Sequence, residues 1–120
     1  AYMGQYLGDN LVVAGNWLHG AHVLDAVVQA ASKIPQDHKP GTLAHQALAS
    51  LQAGEAAGGD TRGLKSAALL VLPPDDAPIN LRVDWSSAPL DDLARLLERA
   101  LDPDYTRWLD AVPSLKDPYR

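Results

Sequence analysis

Apolar and polar positions alternate along the chain with periods that predict a mixture of short strands and amphipathic helices. Residues 10–14, NLVVA, have the β-branched density of a short strand. They run into Gly15-Asn16-Trp17, where the Gly-Asn pair predicts a sharp turn because both residues tolerate positive φ. Residues 21–33 place Val23, Leu24, Val27, Val28 and Ala31 on one helical face. Pro35 closes that helix within the loop IPQDHKPG, which also holds His38. Thr42 predicts the N-cap of a second helix, with Leu43, Ala47, Leu48 and Leu51 on its apolar face and Gly54 at its end.

Residues 66–72, SAALLVL, are nearly all apolar, as in a strand buried on both faces. After the polar connection PPDDAP, residues 79–84 alternate cleanly. Ile79, Leu81 and Val83 fall on one face, and Asn80, Arg82 and Asp84 on the other. The short connection predicts an antiparallel pair. Ser87 and Pro89 suit the start of a third helix, striped by Leu90, Leu93, Ala94, Leu97 and Leu101. Asp91 and Asp92 at its start and Arg99 at its end agree with the helix dipole. Asp102-Pro103 breaks it. Residues 104–111 predict a short last helix that buries Tyr105, Trp108 and Leu109. Residues 1–9 read as a polar, Gly-spaced lead-in with Tyr2 and Tyr6 as packing anchors, and residues 113–120 as a surface tail.

The pattern is that of an α+β domain. Its three strands are few for a sheet with helices against it. Residues 66–72 in particular ask for neighbours on both sides, supplied by another subunit or by a missing part of the same protein.

Composition narrows the partners. With 47% apolar and 21% charged residues among 120, the chain is long and apolar enough for one folded domain and unlike a disordered segment. A net charge of −5, with Lys and Arg scattered, gives no electrostatic reason to expect nucleic acid or an anionic membrane. No apolar run has the length of a membrane helix, and the first residues lack the basic and apolar regions of a signal peptide. The absence of cysteine excludes disulfides, thiolate metal sites and a Cys nucleophile, and fits a cytoplasmic protein.

The polar chemistry concentrates in GGDTRGLKS. Asp60, Arg62 and Lys65 sit among Gly58, Gly59 and Gly63, ahead of Ser66 and the apolar strand. Glycines let a backbone approach a ligand, Arg62 can hold a carboxylate in a bidentate pair, and Asp60 can hold an amine or orient Arg62. The plainer alternative is a helix C-cap and a solvated loop with an Asp60–Arg62 surface pair. No Gly-Lys-Ser/Thr follows, so this is not a phosphate loop. Ser66 has no base beside it and no GxSxG elbow around it, which favours a turn-closing hydroxyl over a nucleophile. Asn16 can present an amide and Trp17 a ring to a ligand, or simply form a turn and a core aromatic. Arg82 is a substrate anchor if its strand face lines a cleft. His19, His22 and Asp25 share a three-residue spacing but lack the recognisable further ligand of a metal site. His38 and His45 read as loop and polar-face residues. No metal and no cofactor are expected.

Three blocks carry a family resemblance: NLVVAGNWLHGAHVLDAV, LQAGEAAGGDTRGLKSAALLVL, and INLRVDW followed by a Pro-Leu helix. Their order and spacing over residues 10–101 resemble the C-terminal half of a bacterial family catalogued as domain-of-unknown-function family one-zero-two-eight. That family is regarded as similar to the N-terminal-nucleophile (Ntn) hydrolases. Gly15 and Asn16 match its Gly-Asn turn, with Trp17 where Met is expected. Gly59, Asp60, Arg62, Gly63 and Ser66 match its glycine block, with Lys65 in place of Gln. Arg82, Val83 and Asp84 match its strand, and Trp85 departs from the acidic-His continuation. The resemblance implies an αββα sandwich of two stacked antiparallel sheets. It also implies hydrolysis of a small amide-like substrate by a nucleophile at a chain N-terminus whose own amino group is the base. Ala1 carries no nucleophile, so the N-terminal half would come from outside this chain, from the same protein or a partner, with a homo-oligomer as another source of strands. Asn16, Asp60, Arg62, Ser66 and Arg82 are then the substrate-binding candidates. The alternative is a non-catalytic ligand-binding or assembly module of the same fold, which fits the absent nucleophile and the tryptophans at positions 17 and 85.

Overall fold

The computed structural model describes residues 1–33 and 39–120, so the expected helix stop at Pro35 and the loop residue His38 lie outside the described residues. Strand β1 (Tyr2–Leu7) pairs antiparallel with β2 (Val12–Leu18). The segment read as a lead-in is therefore a strand. Its glycines hid it from a propensity reading, yet they are what its tyrosines require. A Cβ on Gly4 would lie 2.8 Å from the Tyr2 ring, and one on Gly8 2.8 Å from the Tyr6 ring. Each ring covers a neighbouring glycine backbone, which restores apolar contact that glycine alone cannot supply. Asp9 and Asn10 form the hairpin loop, closed by the Gly8 N–H donating to the Leu11 carbonyl at 2.8 Å.

The turn expected at Gly15-Asn16 is absent, and β2 continues through it. The register moves by one extra residue between the Tyr2↔Leu18 and Gly4↔Gly15 pairs. Trp17 absorbs the irregularity with φ of 56°, the one non-glycine residue with positive φ among those described. A bulge thus replaces the turn, and the left-handed residue is the one immediately after the Gly-Asn pair.

Helix α1 (Ala21–Ala31) follows, buried through Val23, Leu24 and Ala31 as its spacing predicts. Helix α2 (Pro40–Ala56) begins at Pro40 behind Lys39, two residues before the Thr42 expected as its cap. Proline at the first helical position loses no hydrogen bond there. Nor does Gly54 end this helix. It is buried inside it, where a Cβ would lie 2.7 Å from Val27 Cγ2 of α1. The glycine is there because α1 and α2 touch at that point.

Strands β3 (Ala67–Val71) and β4 (Ile79–Val83) form the expected antiparallel pair, in register from Ala67↔Val83 to Val71↔Ile79. Helix α3 (Pro89–Ala100) buries Leu90, Leu93 and Leu97, with Asp91 and Asp92 in its first turn and Arg99 in its last. Ser87 is not the cap. Ser86 organises this start: its hydroxyl donates to the Asp92 carboxylate and accepts the Ala88 N–H. Together with the Arg95 guanidinium, the Ser86 hydroxyl holds the Asp92 carboxyl below the usual carboxylate range.

One core forms where α2 and α3 cover a single face of the β3–β4 pair, gathering Ala44, Leu48, Leu69, Leu90, Leu93 and Leu97. The other face of β3 carries no covering element among the described residues. Leu70 is 56% and Leu72 69% exposed, against the expectation of burial on both faces. Helix α4 (Pro103–Ala111), capped by the Asp102 side chain, also departs from its expectation. It buries no residue, and Tyr105 and Trp108 stack on each other instead, 5.9 Å apart. The described residues therefore make a mixed α and β fold with two small antiparallel sheets and four helices. Among them no helix is long and apolar enough to cross a membrane.

Candidate functional site

The glycine turn is built as a helix terminus. The Gly59 N–H donates to the Gly54 carbonyl and the Gly58 N–H to the Glu55 carbonyl, both at 3.0 Å. This is the paired pattern of a Schellman motif, with Gly58 at φ 122° in the position that favours glycine. The chain is next sewn to the end of β2. The His19 N–H donates to the Gly59 carbonyl at 3.2 Å, and the Thr61 N–H to the Trp17 carbonyl at 2.7 Å, so Asp60 bridges Leu18 as a short antiparallel contact.

Asp60 is held on three sides by Arg62. Its Oδ1 accepts the Arg62 backbone N–H at 2.8 Å and Nε at 2.9 Å, while Oδ2 accepts Nη2 at 2.6 Å. The side-chain bonds from Arg62, followed by its backbone N–H, lower the Asp60 carboxyl to about 2 from an ordinary 3.8. The same pair raises the guanidinium above its ordinary value. Arg62 also lies over the Trp17 ring, 5.2 Å from its centroid. The bulge that turns Trp17 outward thus gives Arg62 a second partner.

These connections bring Asn16, Asp60 and Ser66 to the wall of one cavity of about 350 Å³. Val23, Val27 and Leu51 contribute its apolar side, and Gly54 and Gly59 let the backbone form part of the wall. Asn16 and Ser66 are exposed and Asp60 half-buried, so the cavity is open. Arg62 does not line it but braces Asp60 from outside. Arg82 is not brought in either. It pairs with Asp84 at 2.7 Å on the exposed face of β4 and borders a second cleft of about 240 Å³, to which Ser66 also contributes. Glu55 is the wall residue that the sequence did not single out. Its only signal was its place one turn before the Gly58-Gly59 pair.

The His19, His22 and Asp25 spacing does not gather a metal site. His22 Nε2 bonds the Ala57 carbonyl at 2.9 Å, and His19 packs on Gly58. Among the described residues no three His, Cys, Asp or Glu side chains converge. Among the described residues the Ser66 hydroxyl bonds neither a basic group nor the turn it was expected to close, and it stands exposed on the cavity wall. The cavity offers an amide, a hydroxyl and two carboxylates beside an apolar side, which suits a small polar molecule.

The Asp60–Arg62 pair has a testable titration. A lowered carboxyl favours the folded chain fully above its unfolded value, and that contribution is lost as pH falls through the folded value of about 2. A carboxyl-carbon NMR titration should therefore place Asp60 near the low end of the carboxylate range. Arg62→Ala should return its midpoint toward the ordinary value. An Asp60 midpoint indifferent to that substitution would refute the pairing as its cause.

Comparison with known proteins adds two matches. Residues 1–93 match the family described as a family of unknown function, DUF1028. A crystal structure of protein SPO2555 from Silicibacter pomeroyi, carrying the same family designation, is similar at 36% sequence identity with a TM-score of 0.78. That match covers 98% of this chain and 49% of the Silicibacter chain, so this chain spans about half the length of the relative. No curated protein matches.

Proposed function

We propose, for a chain that belongs to the DUF1028 family, that it is the C-terminal half of an αββα sandwich of the Ntn type and supplies the polar wall of an amide-hydrolysing site. The nucleophile comes from the N-terminal half, as a Thr, Ser or Cys at a chain terminus. Its oxygen or sulfur attacks the amide carbonyl carbon and passes its proton to the adjacent α-amino group. The C–N bond then breaks, the leaving amine takes that proton, and water hydrolyses the acyl intermediate. Asn16 is the hydrogen-bond donor for the charge that develops on the carbonyl oxygen. Ser66 and Asp60 orient the substrate, with Arg62 holding Asp60 in place and Arg82 at the outer cleft. The protein works in the cytoplasm, a placement its cysteine-free composition is compatible with.

The observation that carries this reading is the backbone seam between Leu18 and Asp60, which places Asn16, Asp60 and Ser66 around one cavity. The half-length match to the Silicibacter pomeroyi structure supports a missing complement. The test begins with intact mass and N-terminal sequencing of the protein expressed from its whole gene, followed by a screen of small amides. A copurifying segment that starts with Thr, Ser or Cys is expected, together with turnover that Arg62→Ala lowers about tenfold through lost positioning. Absence of such a segment from gene and preparation sinks the reading. A second reading, a non-catalytic binding module, is favoured by one observation: Arg62 is already engaged by Asp60 and Trp17. Ligand binding without turnover in the same screen decides for it.

A further inference from the structure

A groove of about 640 Å³ separates β2 from β3. Residues 11–14 line one side consecutively and residues 68–72 the other. Side chains of a strand alternate between its faces, so consecutive residues share a boundary only along an edge. The far edge of β2 is taken by β1 and that of β3 by β4. The edges bordering the groove are the free ones, and among the described residues no backbone hydrogen bond crosses it. Its floor is apolar, made by Val27 of α1 and by Leu43, Ala47 and Leu51 of α2. A row of unpaired N–H and C=O groups above an apolar floor is the requirement for strand addition.

We propose that this groove seats an extended aliphatic segment that hydrogen-bonds to the free edge of β3, drawn from the part of the domain that the Silicibacter pomeroyi protein has beyond its match to this chain. The proposal rests on the half-domain part of the preceding reading and not on its chemistry. That relative is about twice as long as the stretch this chain matches, so an occupant of sufficient length exists within one family member. A second copy of this chain fits less well, because an isologous contact needs a self-complementary surface and a groove is not complementary to a groove. The exposed Leu70 and Leu72 give the added strand apolar neighbours on the face that α2 does not cover. Ala14, Val27, Leu51 and Ala68 line both this groove and the polar cavity, so the two are continuous. The seated segment therefore has one end beside Asn16, Asp60 and Ser66.

The test uses the full chain and, as probe, the separately expressed portion of the Silicibacter pomeroyi protein that this chain does not match. Binding is followed by titration and amide hydrogen exchange. Exchange at the alternate amides of residues 68–72 that face away from β4 should slow about tenfold or more once the probe is bound. Leu70→Asp should weaken binding about tenfold or more, since it leaves an unpaired carboxylate in the seat. Leu115→Asp, on an exposed residue outside the groove, should not. Leu70 is already exposed, so an unchanged circular dichroism spectrum confirms that the variant folds. Failure of the probe to bind, binding indifferent to Leu70→Asp, or equal protection of residues 68–72 on concentrating the chain alone would each overturn the proposal. Binding without amide turnover removes the hydrolase reading and leaves the seat standing.

Discussion

Leu93→Ala lowers the stability of the chain by about 2–5 kcal/mol, the largest effect expected of any single substitution here. Leu93 has no exposed surface, and neither does Leu97 one turn later. Both lie where α3 crosses onto the β3–β4 pair beside Leu48 and Leu69. Removing the branch carbon and its two methyl groups from a close-packed site leaves a cavity that the surrounding leucines fill only partly. Domains of this size are stable by only about 5–15 kcal/mol, so the loss is a large fraction of the total. Urea denaturation should show a lower midpoint with an unchanged slope. A loss below about 1 kcal/mol would mean that the core is not organised around α3. Leu93 also stands at the last position of the family match, yet α3 continues to Ala100 and its core to Leu97. The physical unit thus extends beyond the matched residues.

Gly54→Leu is the second large effect, expected at about 1–3 kcal/mol from overpacking alone. The new side chain would meet Val27 Cγ2 where α1 and α2 touch. It would also occupy the cavity, because Gly54 forms part of the wall that holds Asn16, Asp60 and Ser66. The substitution therefore separates two roles of one glycine. Gly54→Ala, with a smaller addition at the same contact, should lose less stability while narrowing the cavity less. The comparison of thermal midpoints for the two variants checks the packing part. Any ligand found for the cavity should bind the Leu variant more weakly than the Ala variant.

The sequence was most legible where one periodicity served one face. The α3 stripe of Leu90, Leu93 and Leu97 and the antiparallel pairing of β3 with β4 follow directly from spacing. It was least legible where glycine serves a neighbour. Gly4 looks like a loop residue until the Tyr2 ring is laid over it, and Gly54 looks like a helix stop until α1 is packed against it. Both are tertiary effects that override local propensity. Residues 15–17 failed differently: positive φ was expected of Gly15-Asn16, but it falls on Trp17, in a bulge that does not end the strand. For the candidate site, the sequence marked Asn16, Asp60 and Ser66 but could not show that a seam at Leu18 joins them. It grouped Arg82 with them because a strand face has no visible distance to a turn. Exposure of Leu70 and of the α4 aromatics was also hidden, since apolar composition states what a segment can bury and not whether a neighbour is present to bury it against.

The outward bulge at Trp17 has an optical consequence. Trp17, Trp85 and Trp108, the three tryptophans of the chain, are all more than half exposed. Indole in water emits at long wavelength whether the polypeptide around it is ordered or not. Unfolding consequently shifts the emission less than it would for buried indoles, and backbone ellipticity is the better measure of melting. The same small change makes the emission a reporter of assembly, because a partner that covers an indole left mostly in solvent by folding shifts it to the blue.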